Sequence, residues 1–359
     1  MTRKQFLSAA MLVASIGGAS GFREETTLTE PAGPRSAKLP VEGQLASFEG
    51  ATTWINSPPL TPAGLRGKVV LVDFWTLTCV NWLRTLPYVR AWAAKYKDKG
   101  LVVIGVHTPE FTVEHDVANV RRAAQAMRVD YPVAVDNDYG VWHAFDNNYW
   151  PAVYLADAQG RIRFHHFGEE AYEETERAIQ QLLTEAGAAE VPTDLVTVNP
   201  QGTEVAAGWN DLKSGESYVG SQKRVNFASP GGAEGKPHAY TVPERLALNH
   251  WGLGGEWTVG REIASADKPN ARIVYRFHAR DVNLVMGPGK AAGPVKFRVL
   301  IDGHAPEAAH GTDTDAQGAG TVTEPKLYQL IRQPRPIVDR TFEIEFLDPG
   351  VETFCFTFG

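Results

Sequence analysis

Residues 68–87 read KVVLVDFWTLTCVNWLRTLP. The apolar run at 68–74 is typical of a buried strand, and the apolar residues within 84–96 recur at the spacing of one helical face. Cys79 therefore lies in the turn where a strand gives way to a helix. Free amide groups and the helix dipole at such a position favour a thiolate, which is the nucleophilic form of cysteine. The stretch predicts a reactive thiol at Cys79.

Strands and helices alternate on both sides of this stretch, from about residue 39 to residue 189. Further strands are predicted at 101–106, 131–135, 152–155 and 161–165, and further helices at 113–127 and 173–186. Such alternation implies a partly parallel sheet that is covered on both faces.

The pattern changes in the second half of the chain. From residue 218 onward, short alternating segments such as 271–277, 295–301 and 341–346 are separated by Gly, Pro and Asp clusters. This pattern predicts an all-β sandwich of the jelly-roll type. We therefore expect an α/β domain at 39–192 and a β domain at 193–359.

The N-terminal residues have the pattern of an export signal. Arg3 and Lys4 precede an apolar run at 6–16, and small residues fill 17–21. A basic start, an apolar core and a small-residue cleavage site are typical of a secretory signal peptide. The sequence predicts a signal peptide at 1–21, a flexible leader at 22–38, and export to the periplasm or cell envelope.

Composition excludes several classes of protein. The 359 residues are 43% hydrophobic and 21% charged, with a net charge of −7 and two cysteines. These values are ordinary for a soluble globular protein of about two domains. They exclude a disulfide-rich scaffold and give no basic surface for nucleic acid.

Several long segments resemble one family of redox proteins. Residues 74–87, 104–111 and 148–155 resemble DipZ-type thioredoxin-like proteins, which are relatives of the TlpA/ResA redoxins. Residues 216–220, 248–251, 281–286 and 327–331 resemble the C-terminal β module of the same family. The resemblance implies a thioredoxin fold at 39–192, with Pro151 as a cis-proline against Cys79. It also implies a carbohydrate-binding-like β module and no bound cofactor.

The active-site motif departs from the family pattern at one position. The family usually has two cysteines in a Cys-x-x-Cys motif, and here Trp82 stands at the second position. In a two-cysteine redoxin the second thiol releases the mixed disulfide. Cys355 lies in an alternating terminal strand and is interpreted as a small buried apolar residue. An external thiol would then have to resolve any adduct on Cys79.

Three functions remain open from the sequence. The first is an exported monothiol disulfide oxidoreductase that acts on protein disulfides or small thiols and draws on an external membrane electron donor. The second is a one-cysteine, antioxidant peroxidase, because Thr76 precedes Cys79 by three residues and Arg84 is placed to hold a thiolate, although Val72 replaces the proline of that motif. The third is a binding protein on a degenerate redoxin scaffold.

The remaining candidate residues surround Cys79 or lie in the β half. Trp75, Trp150 and Pro151 are predicted to shape a substrate groove, and Trp82 either packs beside the turn or contacts a partner. His107 and Glu110, after a strand end, are candidates for proton transfer or for a structural turn.

Two patterns in the β half suggest ligands. Asp313, Asp315 and Glu324 fit a calcium loop in part, although an ordinary polar connection is the alternative. Five aromatic residues are candidates for stacking on a glycan or for the core: Trp209, Tyr218, Tyr240, Trp251 and Trp257.

Overall fold

The computed structural model describes residues 38–290 and 292–359. The predicted signal peptide at 1–21 and the predicted leader at 22–38, apart from Lys38, lie outside the described residues. Residues Leu39–Gly359 form one compact unit. Within the described part of the chain, no helix has the length and apolar character that a membrane span needs.

The first part of this unit is an α/β region, residues 39–185. Its strands are β1 (Gly43–Gln44), β2 (Thr53–Ile55), β3 (Val69–Trp75), β4 (Leu101–His107), β5 (Val133–Val135), β6 (Ala152–Ala156) and β7 (Arg161–Phe167). Its helices are α1 (Val80–Tyr96), α2 (Val117–Ala126), α3 (Gly140–Ala144) and α4 (Tyr172–Glu185).

The seven strands form one mixed sheet in the order β1-β7-β6-β3-β4-β5-β2. Strand β3 lies at its centre, parallel to β4 and antiparallel to β6. Val69 and Leu71 belong to the core cluster that contains α1 and α4, whereas Val70 and Val72 belong to the cluster that contains α3. Alternate side chains of β3 are thus buried on both faces, which explains its continuous apolar sequence.

The predicted helix at 113–127 is divided in two. Residues Thr112–His115 form a short 3-10 turn, and α2 begins after Asp116, whose carboxylate accepts a hydrogen bond from Ala118 N at 2.8 Å. An aspartate at this position satisfies a free amide of the new helix, so it favours a fresh start over a continuous helix.

The second part is an all-β region, residues 217–358. Its strands are β8 (Ser217–Tyr218), β9 (Pro237–Tyr240), β10 (Trp251–Val259), β11 (Ala264–Ala266), β12 (Ala271–Phe277), β13 (Asp281–Pro288), β14 (Val295–Ile301), β15 (Ala319–Val322), β16 (Lys326–Arg332), β17 (Arg340–Phe346) and β18 (Val351–Phe358).

Antiparallel pairing joins these strands in the order β15-β14-β17-β12-β10-β11-β18-β13-β16, with β8 beside β18 and β9 beside β10. The long strand β10 pairs with β12 through its first half and with β11 through its end. The all-β prediction is confirmed. The jelly-roll assignment stays a prediction, as does the boundary at 192/193, which falls between α4 and β8.

The two regions share a hydrophobic core. The cluster beneath α1 includes Val285, Leu327 and Phe354 of the β region, and the Phe354 ring lies 5.3 Å from that of Phe111. Cys79 packs against the same cluster. The β region is therefore packed beside the start of α1.

Candidate active site

Cys79 occupies the position immediately before α1. Its N–H donates to the Thr76 carbonyl at 3.2 Å, and its own carbonyl accepts from Leu83 N at 3.0 Å. The side chain is half-buried, and Sγ lies 3.9 Å from the carbonyl oxygen of Trp150. The Trp150–Pro151 peptide is cis, as the resemblance implied. The turn thus directs the sulfur at the proline-containing segment.

The electrostatic surroundings of Cys79 differ from those that its place on the helix predicted. Desolvation raises the pKa of the Cys79 thiol well above its usual range, and the charges of Glu110 and Glu216 raise it further. The backbone amides of Trp82 and Asn81 oppose this increase. The helix N-terminus therefore acts in the expected direction, but the loss of hydration outweighs it, and the resting thiol is neutral.

Trp82 fills the place of the second active-site thiol. Its side chain is fully buried, its ring stacks on Trp75 with centroids 4.3 Å apart, and its indole N–H donates to Asp73 Oδ2 at 2.9 Å. Trp75 has no exposed surface either, so it supports the site from within and does not line a groove. Of the two alternatives for Trp82, the structure shows the packing one.

Asp73 is a buried carboxyl group that the sequence reasoning missed. Desolvation raises the pKa of Asp73 to about 7, and the hydrogen bond from Trp82 partly offsets this rise. Among the described residues, its Oδ1 atom has no hydrogen-bond partner. A charged residue in the middle of a strand that is apolar on both faces was the signal that could have identified it.

Thr76 and Arg84 are both buried, and Arg84 does not hold the thiol as the peroxidase hypothesis requires. The Arg84 guanidinium binds Glu169 Oε1 at 2.9 Å and the Phe358 carbonyl at 3.1 Å. The charged side chains that act on Cys79 are the acidic Glu110 and Glu216. Arg84 therefore serves an ion pair through Nη1 and a contact with β18 through Nη2, whereas its buried Nε has no hydrogen-bond partner among the described residues.

Glu114 holds the active-site turn, and sequence reasoning also missed it. Its Oε1 atom accepts from Thr78 N at 3.1 Å and from Thr78 Oγ1 at 2.7 Å. Its Oε2 atom accepts from the amides of Glu110 at 2.7 Å and Phe111 at 2.9 Å. One buried carboxylate thus joins the residue before Cys79 to the loop after β4. A glutamate three residues after the start of a short helical turn was the available signal.

The two proton-transfer candidates have different environments. His107 is fully buried, its ring lies 4.8 Å from that of Trp75, and neither ring nitrogen has a partner within the described chain. Desolvation lowers the pKa of His107 to about 3, so it stays neutral. The Glu110 carboxylate binds the Tyr218 hydroxyl from the β region, and its charge acts on Cys79. Of the two, Glu110 is the residue next to the thiol chemistry.

Comparison with known proteins identifies both regions. Residues 43–165 match the AhpC/TSA family, and residues 214–359 match the family described as thioredoxin like C-terminal domain. Protein DipZ of Mycobacterium bovis is 35% identical over 328 residues, which are 90% of this chain and 44% of that protein. This chain is similar to DipZ over most of its length, and its α/β region is thioredoxin-like. It spans less than half the length of its DipZ relatives.

Smaller redoxins match the α/β region alone. The thiol-disulfide oxidoreductase YkuV of Bacillus subtilis is 28% identical over 141 residues, 39% of this chain and 95% of its own. A solution structure of a thioredoxin-like protein in the oxidized form covers 40% of this chain and 96% of its own, with 28% identity and a TM-score of 0.37. The family match at residues 43–165 and the mixed sheet with β3 at its centre give the α/β region a thioredoxin-like fold.

Cys355 is remote from solvent. It is buried in β18, where it pairs with Tyr218 of β8 and Val285 of β13, and desolvation raises its pKa well above the usual range. Both of its neighbouring strands are hydrogen-bonded to it, so its backbone is fixed. The structure agrees with its interpretation as a small core residue.

The calcium candidates make other contacts. Asp313 binds Lys326 Nζ at 2.7 Å and accepts from Gln329 N at 2.9 Å, and Asp315 accepts from the amides of Gln317 and Ala319. Within residues 38–290 and 292–359, no group of three or more His, Cys, Asp or Glu side chains could hold a metal ion, so Asp313, Asp315 and Glu324 do not form one. The carboxylates of Asp313 and Asp315 instead stabilise the connection, which corrects the calcium hypothesis.

Proposed function

We propose that this redoxin is a thiol-disulfide oxidoreductase that acts through Cys79 alone. The observation that carries the proposal is the position of the Cys79 sulfur, 3.9 Å from the carbonyl that precedes cis-Pro151, on a partly exposed turn. Trp82 stands where a second thiol would resolve the adduct, and Cys355 is buried in β18. A single accessible nucleophile therefore performs the first half of disulfide exchange and requires another thiol for the second half.

The reaction balances without a bound cofactor. Cys79 loses its proton and attacks one sulfur of a client disulfide, the client S–S bond breaks, and the leaving sulfur takes up a proton. A small external thiol then attacks the client sulfur of the mixed disulfide, the bond between that sulfur and Cys79 breaks, and Cys79 takes up the proton. A second small thiol releases the client thiol and leaves the small thiol as its disulfide. The raised pKa of Cys79 makes removal of its proton the demanding step.

An exposed aromatic pair lies next to the cis-proline. Tyr149 is 53% exposed, Phe167 is 39% exposed, and their rings are 4.8 Å apart. Pro151 is joined to this pair because its carbonyl accepts from Gly168 N at 2.8 Å. We propose that an extended client segment lies along Trp150 and Pro151 with apolar side chains on this pair, since exposed aromatic residues commonly anchor bound chains.

The alternative is a binding protein with an unreactive Cys79. The observation that favours it is the desolvated, neutral thiol between two carboxylates. Only the first proposal predicts turnover, so activity distinguishes them.

The decisive experiment measures reduction of a peptide disulfide at increasing concentrations of a small thiol. The wild type and the Cys355→Ala variant should turn over equally, with a rate that increases with thiol concentration. Cys79→Ser should lose turnover completely, because serine cannot form the mixed disulfide. If the wild type turned over no faster than Cys79→Ser, the oxidoreductase proposal would be wrong and the binding-protein alternative would be supported.

The location and partners of this redoxin follow as further proposals. We propose export to the periplasm or cell envelope, where an external donor supplies the resolving thiol; cell fractionation tests the location.

Glycan binding by the β region depends on which aromatic side chains are exposed. Trp251, Trp257 and Tyr240 are core residues, whereas Trp209 is 48% exposed. Polysaccharide pull-down by the full chain, lost in Trp209→Ala, would support glycan binding.

A further inference from the structure

One element of the β region reaches the loop that faces Cys79. Strand β8 carries Tyr218, whose hydroxyl binds the carboxylate of Glu110 and lies 3.1 Å from Glu216 Oε2. Glu110 belongs to the loop after β4, and its amide shares the Glu114 carboxylate with Thr78, the residue before Cys79. The Tyr218 hydroxyl is thus connected to the active-site turn through two carboxylates.

The hydrogen bonds that join Tyr218 to Glu110 and Glu216 require one proton in addition to that of the phenol. A phenol carries a single O–H, so Tyr218 can donate to only one of the two carboxylates. Lys223 Nζ lies 3.5 Å from Glu110 Oε1 and 4.4 Å from the centre of the Tyr218 ring, which favours Glu110 as the ionised member. Glu216 then completes a hydrogen bond with the phenol oxygen only when it carries its own proton.

The surroundings of Glu216 agree with this assignment. Although the residue lies at the surface, desolvation of its carboxyl group raises the pKa of Glu216, and the charge of Glu110 raises it further. Tyr218 and Lys223 act in the opposite direction. When Glu216 loses this proton, its charge raises the pKa of the Cys79 and Cys355 thiols.

We propose that the β region completes the active site: Tyr218 and Glu216 hold Glu110 in place and share a proton with it, and this proton is exchanged with Cys79. When Cys79 attacks a disulfide, the Cys79 S–H bond breaks and the proton passes to the carboxylate pair. The new bond joins Cys79 to a client sulfur, the client S–S bond breaks, and the leaving sulfur receives a proton from the pair. In this proposal Glu110 is the proton acceptor, and Tyr218 and Glu216 are positioning residues.

The inference rests on the proposed function for the exchange step, but its first test does not need turnover. Alkylation of Cys79 by iodoacetamide reports the thiolate fraction, and the Cys355→Ala background removes the second thiol. Glu110→Gln keeps the shape of the side chain and removes the charge of the ionised carboxylate. We expect Cys79 to be alkylated about threefold to tenfold faster in this variant at pH 8, because one carboxylate no longer opposes the thiolate.

Disulfide turnover should change in the opposite direction. Glu110→Gln should turn over about tenfold more slowly, because the carboxylate pair no longer accepts the proton of Cys79 and returns one to the leaving sulfur. Tyr218→Phe retains the ring beside Phe111 and removes the shared hydroxyl, so it should also slow turnover. In a Glu110→Gln background, Tyr218→Phe should have no further effect, since the hydroxyl acts through Glu110.

Another hydrogen bond between the α/β region and the β region provides the control. Glu262 of the β region accepts from Thr112 N at 2.8 Å, outside the hydrogen bonds that join Tyr218 to Glu110 and Glu216. Glu262→Gln should leave both the alkylation profile and turnover unchanged. Alkylation rates in Glu110→Gln and Tyr218→Phe that both stay within about twofold of the wild type would overturn the inference. Altered alkylation without any turnover in the wild type would refute the proposed function and retain the proton-sharing cluster.

Discussion

The indole N–H of Trp82 donates a 2.9 Å hydrogen bond to the carboxyl group of Asp73, and both side chains are fully buried. A tryptophan at this position therefore does more than remove a thiol. It occupies the space beside the active-site turn, stacks on Trp75, and gives a buried carboxyl group a donor. The Trp82 side chain thus accounts both for the missing second thiol and for the packing behind Cys79.

Trp82→Cys should restore a second thiol within reach of Cys79. We expect release of the client from the mixed disulfide to become independent of the external thiol in a single turnover, and a disulfide between residues 79 and 82 to form as the client is reduced; repeated turnover still needs the external thiol to reduce that disulfide. The free energy of unfolding should fall by about 3–5 kcal/mol, since a large buried side chain is lost. Mass spectrometry and urea unfolding measure the two effects.

Trp92→Cys is the matched control for that substitution. Trp92 is also buried on α1, and its indole N–H donates to Glu176. This variant should lose similar stability and keep the dependence of client release on external thiol. If Trp82→Cys also kept that dependence, the assignment of Trp82 to the place of the second thiol would be wrong.

Asp73→Asn should change how stability depends on pH. The Asp73 pKa is about 7 in the folded protein and 3.8 in the reference state, so the folded state binds the proton more tightly. Asp73 therefore contributes its full stabilisation to the free energy of unfolding below pH 3.8, and this contribution is lost as the pH rises towards 7. Asparagine does not titrate. The free energy of unfolding of the variant should therefore rise relative to that of the wild type by at most about 4 kcal/mol between pH 4 and pH 8.

Urea unfolding at a series of pH values checks the Asp73 prediction. Asp130→Asn is the control, because Asp130 is exposed. Parallel pH profiles for the wild type and Asp73→Asn would contradict a raised pKa at Asp73.

Glu114→Gln should destabilise the active-site turn. The carboxylate accepts four hydrogen bonds, and an amide places its own N–H groups against two of those donors. We expect a loss of about 1–3 kcal/mol in the free energy of unfolding and slower turnover, because Thr78 and Glu110 are no longer held together. Glu174→Gln, on the exposed face of α4, should cost nothing measurable.

Arg84→Met should show the cost of breaking a buried ion pair. The side chains of Arg84 and Glu169 are only 2% and 7% exposed, so the variant leaves Glu169 desolvated without its cation. We expect a loss of about 3–5 kcal/mol, which the double variant with Glu169→Gln should partly recover. Arg298→Met breaks a more exposed pair with Glu345 and should cost about 1 kcal/mol or less.

The α/β region was largely predictable from the sequence because its apolar patterns are strong. The strand before Cys79, helix α1 and the final helix are close to their predicted ranges. The short elements β1, β2 and α3 were missed, since two to five residues carry too little periodicity. Helix α2 was predicted too long because Asp116 and the turn before it interrupt an otherwise helical pattern.

The candidate site was only partly predictable. Cys79 and Pro151 are adjacent in sequence to recognisable elements, so the motif identified them. Glu216 and Tyr218 lie more than 100 residues away from Glu110, and no local pattern indicates that β8 reaches this loop. Arg84 was assigned to the thiol from its sequence position, but its partners, Glu169 and Phe358, come from distant parts of the chain.

The sequence by itself determined the order of strands and helices, the place of Cys79 before α1, and the absence of a second thiol at residue 82. These features depend on local patterns of apolar residues and on residue identity. Tertiary structure alone decided that Cys79 is desolvated, that Asp73 and Trp82 form a pair, and that the β region supplies two side chains beside Glu110. Hydration and electrostatic contacts depend on which distant residues fold into the same space, and that information is not local in the chain.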